Sequence, residues 1–189
     1  HEHYNYWSLT SLVYFFNNLD AKIFRAEKVN THGGSIRIYV KKNKKVNTES
    51  SVKKILKEEE KFGIKNFKTY QKFGEEVYKI RENVRFNIKK LKEGKNTIIG
   101  YGAPAKATTS LNFFGISSEI DFIVEDNKLK HDKFIPGVKI AIKKKSKIKN
   151  KKNILVVLAW NFFDNIKKNN SELSEKFINI KDLETNNWK

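Results

Sequence analysis

The sequence of 189 residues contains no cysteine and no methionine, only two prolines, and only four arginines among its 39 basic residues. Without cysteine the chain can form neither a disulfide nor a thiolate metal site of its own, which fits a reducing compartment. No apolar run approaches the roughly 20 residues that span a bilayer, and the start does not read as a signal peptide. We therefore expect a soluble cytoplasmic protein without membrane contact.

The charge is strongly one-sided, with a formal net charge of +18. Basic faces bind nucleic acid through counterion release. Lysine nevertheless carries nearly all of this charge, whereas arginine is the residue suited to bidentate recognition of phosphate and guanine. The densest basic run, 143–153, is typical of a solvated loop. No specific nucleic-acid site is therefore expected, and a basic binding module is kept as a minor alternative.

The first 45 residues predict a helix followed by a β-hairpin. Apolar residues recur at helical spacing after Ser8, a suitable N-cap, and this helix should end near Asp20. Two runs of alternating apolar residues follow, joined by a segment with two adjacent glycines. The segment HGGSIR (32–37) is either a turn with positive φ at its glycines or a wall of an active site, and Arg37 is a candidate for a salt bridge.

Residues 46–95 change in character and predict a helical connector. A charged stretch leads into a short helix from about Ser51, and a long helix runs from Thr69 to a closing Gly94. The change in composition places a domain boundary near residue 45. The long helix carries one apolar stripe that is expected to face a partner along about six turns: Phe73, Val77, Ile80, Val84, Ile88 and Leu91.

From residue 96 onward apolar strands alternate with helices, which predicts an α/β fold with a Rossmann-like parallel sheet and flanking helices. Gly100, Gly102 and Ala105 match the pattern G-x-G-x-x-A, which lets the backbone approach a phosphate at a helix N-terminus. Lys106 lies in the first helical turn and opposes the helix dipole, a conflict that a bound anion would relieve. Because nearly one residue in five is lysine, chance placement is the competing explanation.

Two further pairs lie where open α/β sheets bind ligands. Glu125 and Asp126 end the second strand, where a dinucleotide fold would hold a ribose hydroxyl. Trp160 and Asn161 follow a buried parallel strand at its carboxyl end. Trp160 is equally compatible with a simple cap over the core.

The chain opens with two histidines around a carboxylate. In an extended segment His1 and His3 point to one face and Glu2 to the other. The pair could chelate a metal with His32, although no carboxylate or thiolate stands at ligand spacing, so no metal site is predicted. The remaining readings are a polar strand end beside core aromatics, or a histidine general base held by a carboxylate. Residue chemistry alone does not decide between these two.

Five segments of the chain, taken together, resemble the C-terminal half of the sugar C-methyltransferase family in order and spacing. The resemblance covers the chain from its start to about residue 170. The segments are HEHYNYWSL (1–9), HGGSIRIYV (32–40), GYGAPAKATTSLNFFGI (100–116), DFIVEDNKLKHDKFIPGVKIAI (121–142) and VVLAWNF (156–162).

This resemblance implies a domain organisation and an activity. Residues 1–45 would be the tail of a truncated methyltransferase domain, ending in its terminal helix and hairpin. Residues 46–95 would be the connector and long helix, and residues 96–189 the family's Rossmann-like C-terminal domain. Such enzymes use S-adenosylmethionine to methylate a carbon of a nucleotide-linked keto-deoxysugar, so a nucleotide sugar is the expected partner.

The resemblance also implies roles for individual residues. His3 would be the general base that removes a proton next to the keto group, and Glu2 would help to orient the site. The residues expected to contact the substrate are Tyr4, Gly100, Tyr101, Gly102, Lys106, Trp160 and Asn161.

Motifs that the family carries before H-E-H do not occur in this sequence. They are a glycine-rich loop for S-adenosylmethionine and a cysteine-rich zinc-binding segment, so both groups are expected to be bound mainly by polypeptide upstream of residue 1. The tyrosine that usually precedes H-E-H is also missing. The alternative from another class is a nucleotide- or NAD-binding Rossmann domain of an oxidoreductase, which NAD would protect against heat.

The isolated chain is therefore expected to be inactive, because the donor-binding half of the site is absent from it. Transfer of a labelled methyl group from S-adenosylmethionine to nucleotide-linked keto-deoxysugars measures this directly, with the complete protein as positive control. Turnover by the 189 residues alone would contradict the expectation.

Overall fold

The computed structural model describes residues 5–42 and 45–186, and two compact units divide between Phe73 and Gly74. Within the described ranges no helix has both the length and the apolar character needed to cross a membrane. The helices are α1 (Leu9–Asn17), α2 (Ser50–Phe62), α3 (Phe67–Glu93), α4 (Ala105–Phe114) and α5 (Phe163–Asn169). The strands are β1 (Lys22–Val29), β2 (Ser35–Lys41), β3 (Ile98–Tyr101), β4 (Phe122–Val124), β5 (Ile142–Lys143), β6 (Ile154–Val157) and β7 (Lys176–Asn179).

Helix α1 begins at the predicted N-cap, Ser8. The Ser8 hydroxyl accepts from the Ser11 N–H at 3.1 Å, and the Ser11 hydroxyl accepts from the Ser8 N–H at 3.1 Å, which forms a capping box. Glu59 of α2 adds a second cap, since its two carboxylate oxygens accept from the N–H groups of Leu9 and Thr10, each at 2.7 Å. The first turn of α1 is thus tied to α2 by hydrogen bonds as well as by packing.

The predicted hairpin is confirmed by the antiparallel pairing of β1 with β2. Its connection is a short 3-10 turn over Thr31–Gly33, in which Gly33 has φ 85° and Gly34 φ 121°. This supports the turn reading of the glycine pair, because both values lie in the region that favours glycine. Arg37 faces Glu27 across the strands, with Nη1 3.8 Å from a carboxylate oxygen, so the expected salt bridge forms.

The first unit has its own small core. Helix α2 buries Val52 and Ile55 in one cluster with residues of α1 and the hairpin, including Leu9, Ile23 and Ala26. Because α2 packs on the hairpin, the compact unit extends beyond residue 45, where the composition changes.

The second unit contains a five-stranded sheet in the order β5-β4-β3-β6-β7, and every pairing in it is parallel. In chain order within the unit this is 3-2-1-4-5, the order of a Rossmann-like fold, so the predicted fold class is confirmed. Helices α3 and α4 cover one face of the sheet, and α5 covers the other. The strands are buried on both faces, which explains their unbroken apolar runs.

Only the C-terminal half of α3 uses the predicted apolar stripe. Val84, Ile88 and Leu91 are buried in the core of the second unit, but Phe73 is 69% exposed. The stripe prediction is therefore wrong at its N-terminal end. The reason is that α3 is much longer than the strands. Its 27 residues span about 40 Å along the helix axis, whereas a four-residue strand is only about 13 Å long.

Helix α3 ends at Glu93, directly before the predicted closing residue Gly94, but Gly94 does not close it with a positive φ. The residue with positive φ after the helix is Lys95, at 56°, and Gly94 is not among the glycines with positive φ. Gly94 matters sterically instead, since a Cβ there would lie 2.7 Å from the side-chain nitrogen of Asn96. That nitrogen donates to the carbonyl of Leu91 at 2.8 Å and so satisfies one of the last carbonyls of the helix.

Substituting Gly100 by alanine is expected to destabilise the second unit by about 1–3 kcal/mol, because it overpacks a close-packed core. A Cβ at Gly100 would lie 2.7 Å from Cγ1 of Ile123 and 3.1 Å from Cδ1 of Leu158. Gly74→Ala is the matched control: no atom lies within 4 Å of its Cβ position, and alanine in a helix interior stabilises by about 0.5–1 kcal/mol. Urea unfolding measures both, and an unchanged midpoint for Gly100→Ala would contradict the packing.

Candidate functional site

The candidate site lies at the carboxyl edge of the sheet, where the chain order changes direction between β3 and β6. Tyr101 and Val157 are paired at the ends of these strands, and the Leu158 N–H donates to the Tyr101 carbonyl at 2.9 Å. The loops that leave β3 and β6 therefore start side by side. Ligands of open α/β sheets bind at such a crevice. The structure thus brings the predicted glycine loop close to the segment that begins at Trp160.

The Glu125 side chain is hydrogen-bonded to the backbone of the glycine loop. Its carboxylate accepts from the Ala103 N–H at 2.8 Å and from the Asn127 N–H at 3.0 Å. Lys130 closes the arrangement, because its ammonium donates to the Ala103 carbonyl at 2.8 Å and lies 3.6 Å from the Glu125 carboxylate. The side chain expected near a ribose is therefore bound to its own loop.

These contacts also explain why the pKa of Glu125 is lowered. Burial opposes the charged form, but the hydrogen bonds from the N–H groups of Asn127 and Ala103, with the nearby charge of Lys130, outweigh it and lower the pKa. The carboxylate is thus a fixed negative charge beside the glycine loop. A second anion at the Ala103 N–H would have to displace it.

The two glycines have packing reasons that do not involve a ligand. Gly102 has φ 89°, and its Cβ position lies 3.0 Å from Cβ of Ala159. Gly100 is enclosed by core side chains, as described above. Ala105, the third position of the pattern, is exposed. Close approach of strands and loops accounts for the G-x-G-x-x-A match, so the match alone gives no support to a dinucleotide site.

Tyr101 belongs to a different cluster, on the sheet face that α5 covers. It is 2% exposed, and its hydroxyl lies 2.9 Å from a carboxylate oxygen of Asp126 and 3.2 Å from the side-chain oxygen of Asn170. The Lys145 ammonium lies 2.6 Å from Asp126 and 2.6 Å from Asn170. Burial raises the pKa of Tyr101 despite the opposing effect of Lys145. In this conformation Tyr101 is placed to support the edge, not to touch a ligand, and Asp126 is engaged with it.

The exposed part of the edge consists of an indole ring flanked by lysines. The Lys106 ammonium lies 5.4 Å from the centroid of the Trp160 ring, and the Lys181 ammonium lies 6.0 Å from it. Trp160 is partly buried against the core, so the cap reading holds for one part of the ring. Asn161 follows it and is exposed. Sequence reasoning did not select Lys181, although its position just after β7, at the carboxyl edge of the sheet, was an available signal.

The predicted catalytic residues lie outside the described residues. These are His3 and Glu2, together with the expected substrate contact Tyr4 and with His1 of the metal hypothesis. Among the residues that the structure describes, no group of three or more histidine, aspartate or glutamate side chains could hold a metal ion.

An open cavity of about 1400 Å³ lies in the first unit, between α1, α2 and the turn into α3. Tyr14, Phe67 and Tyr70 line it together with charged residues such as Lys57 and Glu60. It contains none of the predicted substrate contacts among the described residues. We place the candidate site at the sheet edge nonetheless, because two cations and an aromatic ring converge there.

Fold and edge together define a Rossmann-like domain with cations and an aromatic ring at the carboxyl edge of its sheet. The comparison with known families agrees with the resemblance noted in the sequence. Residues 30–179 match the family described as C-methyltransferase C-terminal domain, and the chain belongs to that family. It is similar to the C-methyltransferase NovU of Streptomyces niveus, with 29% identity over 178 residues. That alignment covers 93% of this chain and 42% of the relative, so the chain spans less than half of the relative's length.

Replacing Glu125 by glutamine is expected to lower the free energy of unfolding at pH 7 by about 1–3 kcal/mol, since one oxygen acceptor and the charge are lost. The pKa of Glu125 is lowered in the folded state. Its stabilisation is therefore present above the unfolded pKa, about 4.3, and is lost as the pH falls through the folded value. The gap between wild type and Glu125→Gln should narrow from pH 7 to pH 3. Urea unfolding across this range measures it, and Glu172→Gln, an exposed glutamate, is the control. A gap independent of pH would contradict the assignment.

Proposed function

We propose that this chain is the C-terminal part of an S-adenosylmethionine-dependent C-methyltransferase that acts on a nucleotide-linked keto-deoxysugar in the cytoplasm. The observation that carries the proposal is the family match over residues 30–179. The similarity to a relative named as a C-methyltransferase supports it, as do the five segments noted in the sequence.

The proposed chemistry starts with the loss of a proton from the carbon next to the keto group. S-adenosylmethionine supplies an electrophilic methyl group on a sulfonium sulfur. His3 takes the proton, and the electron pair that it leaves on the sugar forms the new carbon–carbon bond while the bond from methyl to sulfur breaks. Glu2 orients the site. General-base assistance contributes about 10²- to 10⁴-fold to such a step, and alignment of the two reacting carbons contributes much of the rest.

The glycine loop of the described structure does not fit the methyl donor. A loop of this kind binds an anionic group through free N–H groups at a helix N-terminus, whereas the methyl donor carries a sulfonium and no phosphate, and the Ala103 N–H here donates to Glu125 at 2.8 Å. We therefore assign donor binding, and any structural zinc, to polypeptide upstream of residue 1. No step of the proposed reaction uses the loop as a donor site.

The sugar nucleotide is assigned to the carboxyl edge of the sheet and to the segment around His3. Lys106, Trp160 and Asn161 would contact it directly, since the last two follow β6 and the first lies in the first turn of α4. The remaining assigned residues act less directly. Gly100 and Gly102 allow the loop its close approach to β6, and Tyr101 supports the strand end from the face that α5 covers. Tyr4 directly follows the proposed base His3 in the sequence.

Replacing His3 by alanine in the complete protein is expected to lower kcat by about 10²- to 10⁴-fold, because the base is lost. The limb of the pH–rate profile that rises near pH 6.5 should disappear with it. A sharper measurement omits the methyl donor and follows exchange of solvent deuterium into the sugar carbon next to the keto group. Asn5→Ala, two residues away, should exchange at the normal rate. Normal exchange in His3→Ala would remove His3 as the base.

A further inference from the structure

Two lysine ammonium groups converge on one indole ring at the carboxyl edge of the sheet. We propose that Lys106, Trp160 and Lys181 form the binding site for the diphosphate of the nucleotide sugar, with Lys181 as its second cation. The identity of the ligand rests on the proposed function, whereas the site itself rests on the geometry of these three side chains.

Three neighbouring strands supply the site. Lys106 lies in the first turn of α4 after β3, Trp160 follows β6, and Lys181 lies in a short 3-10 helix after β7. These strands are adjacent in the sheet, so their carboxyl ends form one continuous edge. Both ammonium groups are within the roughly 6 Å at which a cation interacts with an aromatic ring, at 5.4 Å and 6.0 Å from the Trp160 centroid.

The electrostatics of this edge favour an anion. Within the described residues neither Lys106 nor Lys181 has a carboxylate within ion-pair distance, unlike Lys130 and Lys145 on the neighbouring strand ends. Two like charges that share one ring repel each other, and Lys106 also opposes the dipole of α4. The carboxyl of Glu184 feels the charge of Lys181, but burial raises the pKa of Glu184 overall. A bound anion would relieve both conflicts at once.

Glu125 decides where along the edge the anion binds. Because its carboxylate takes the Ala103 N–H, the glycine loop itself is closed to a phosphate and carries a negative charge. In the first turn of α4 the Ala107 N–H donates to the Pro104 carbonyl at 2.9 Å, whereas the N–H groups of Ala105 and Lys106 have no carbonyl partner within the helix. The diphosphate is therefore displaced from the glycine loop, where dinucleotide folds hold it, toward Trp160 and Lys181.

The chemistry of the three side chains suits a diphosphate better than a single phosphate. Lysine is a point charge on a flexible stem and follows phosphate oxygens without the planar geometry that arginine demands. Two such charges close to one aromatic ring match a ligand with negative charge on two linked groups. The exposed part of the indole then offers an apolar surface to the attached sugar or nucleoside.

The test uses the full 189-residue chain carrying Trp7→Phe and Trp188→Phe, so that Trp160 is its single tryptophan and reports on the site. Thymidine diphosphate, uridine diphosphate and inorganic pyrophosphate are titrated separately while Trp160 fluorescence is followed. Lys106→Ala and Lys181→Ala are each expected to weaken binding about five- to tenfold, the loss of one charge-assisted hydrogen bond. The control is Lys149→Ala, an exposed lysine in the basic run, which removes the same charge and should bind within about twofold of the parent.

Equal affinities of Lys181→Ala and Lys149→Ala for all three probes would overturn the proposal. Melting temperatures verify that the variants fold, Lys181→Gln gives a second neutral substitution, and Lys181→Arg should retain most of the affinity. Tight binding of pyrophosphate together with equally tight binding of DNA, both fading with salt, would also overturn it, because the edge would then be a general polyanion surface.

The outcome separates this site from the proposed function. If the nucleoside diphosphates bind with the expected dependence on Lys181 but the complete protein methylates no nucleotide-linked sugar, the site stands and the function fails. If the complete protein methylates such a sugar with the same KM in Lys181→Ala as in Lys149→Ala, the function stands and the site fails.

Discussion

The hydrogen bond between the Glu125 carboxylate and the Ala103 N–H governs the second unit. It ties the loop after β3 to the end of β4, and Lys130 secures the same loop through the Ala103 carbonyl. The position of the loop sets where α4 begins, and the start of α4 sets where Lys106 can reach. One half-buried carboxylate thus influences both the position of the loop and the sign of the charge beside the glycines. The ammonium groups of Lys106 and Lys181 lie farther along the edge, close to the Trp160 ring.

A similar hydrogen bond from backbone N–H groups to a glutamate carboxylate occurs in the first unit. There the carboxylate of Glu59 accepts from the N–H groups of Leu9 and Thr10, 50 and 49 residues away in the chain. In both units a glutamate from a distant element satisfies N–H groups at or just before the start of a helix, groups that have no partner inside the helix. A protein rich in lysine and poor in carboxylates uses these acids inside its fold. Many lysines are left at the surface as a consequence, and the high net charge is in this sense a property of the surface.

The chain belongs to the C-methyltransferase C-terminal domain family, and this membership connects the carboxyl edge of the sheet with the proposed function. Under the proposed function, the parallel sheet of this domain would hold a charged ligand at its carboxyl edge, and a second stretch of polypeptide would supply the rest of the reaction site. The chain corresponds to less than half of its curated relative. Recognition of the substrate by Lys106, Trp160 and Lys181 and chemistry at His3 would then be separate tasks.

The sequence by itself determined the elements that follow from local periodicity and from turn chemistry. The capped start of α1 at Ser8, the hairpin with its glycine turn and the alternation of strands and helices after residue 96 all rest on neighbours in the chain, and the family was visible in segments that are contiguous. Tertiary structure decided every feature that depends on contacts between residues far apart in the sequence. The pattern from Gly100 to Ala105 predicted an open phosphate loop, and only the return of Glu125 from the next strand shows it closed. The stripe on α3 predicted burial at Phe73, and only the short reach of the sheet shows otherwise. Lys181 lies 75 residues from Lys106 in the chain, and only adjacent parallel strands bring both to one indole ring, because contacts between strand ends depend on sheet order and not on spacing in the sequence.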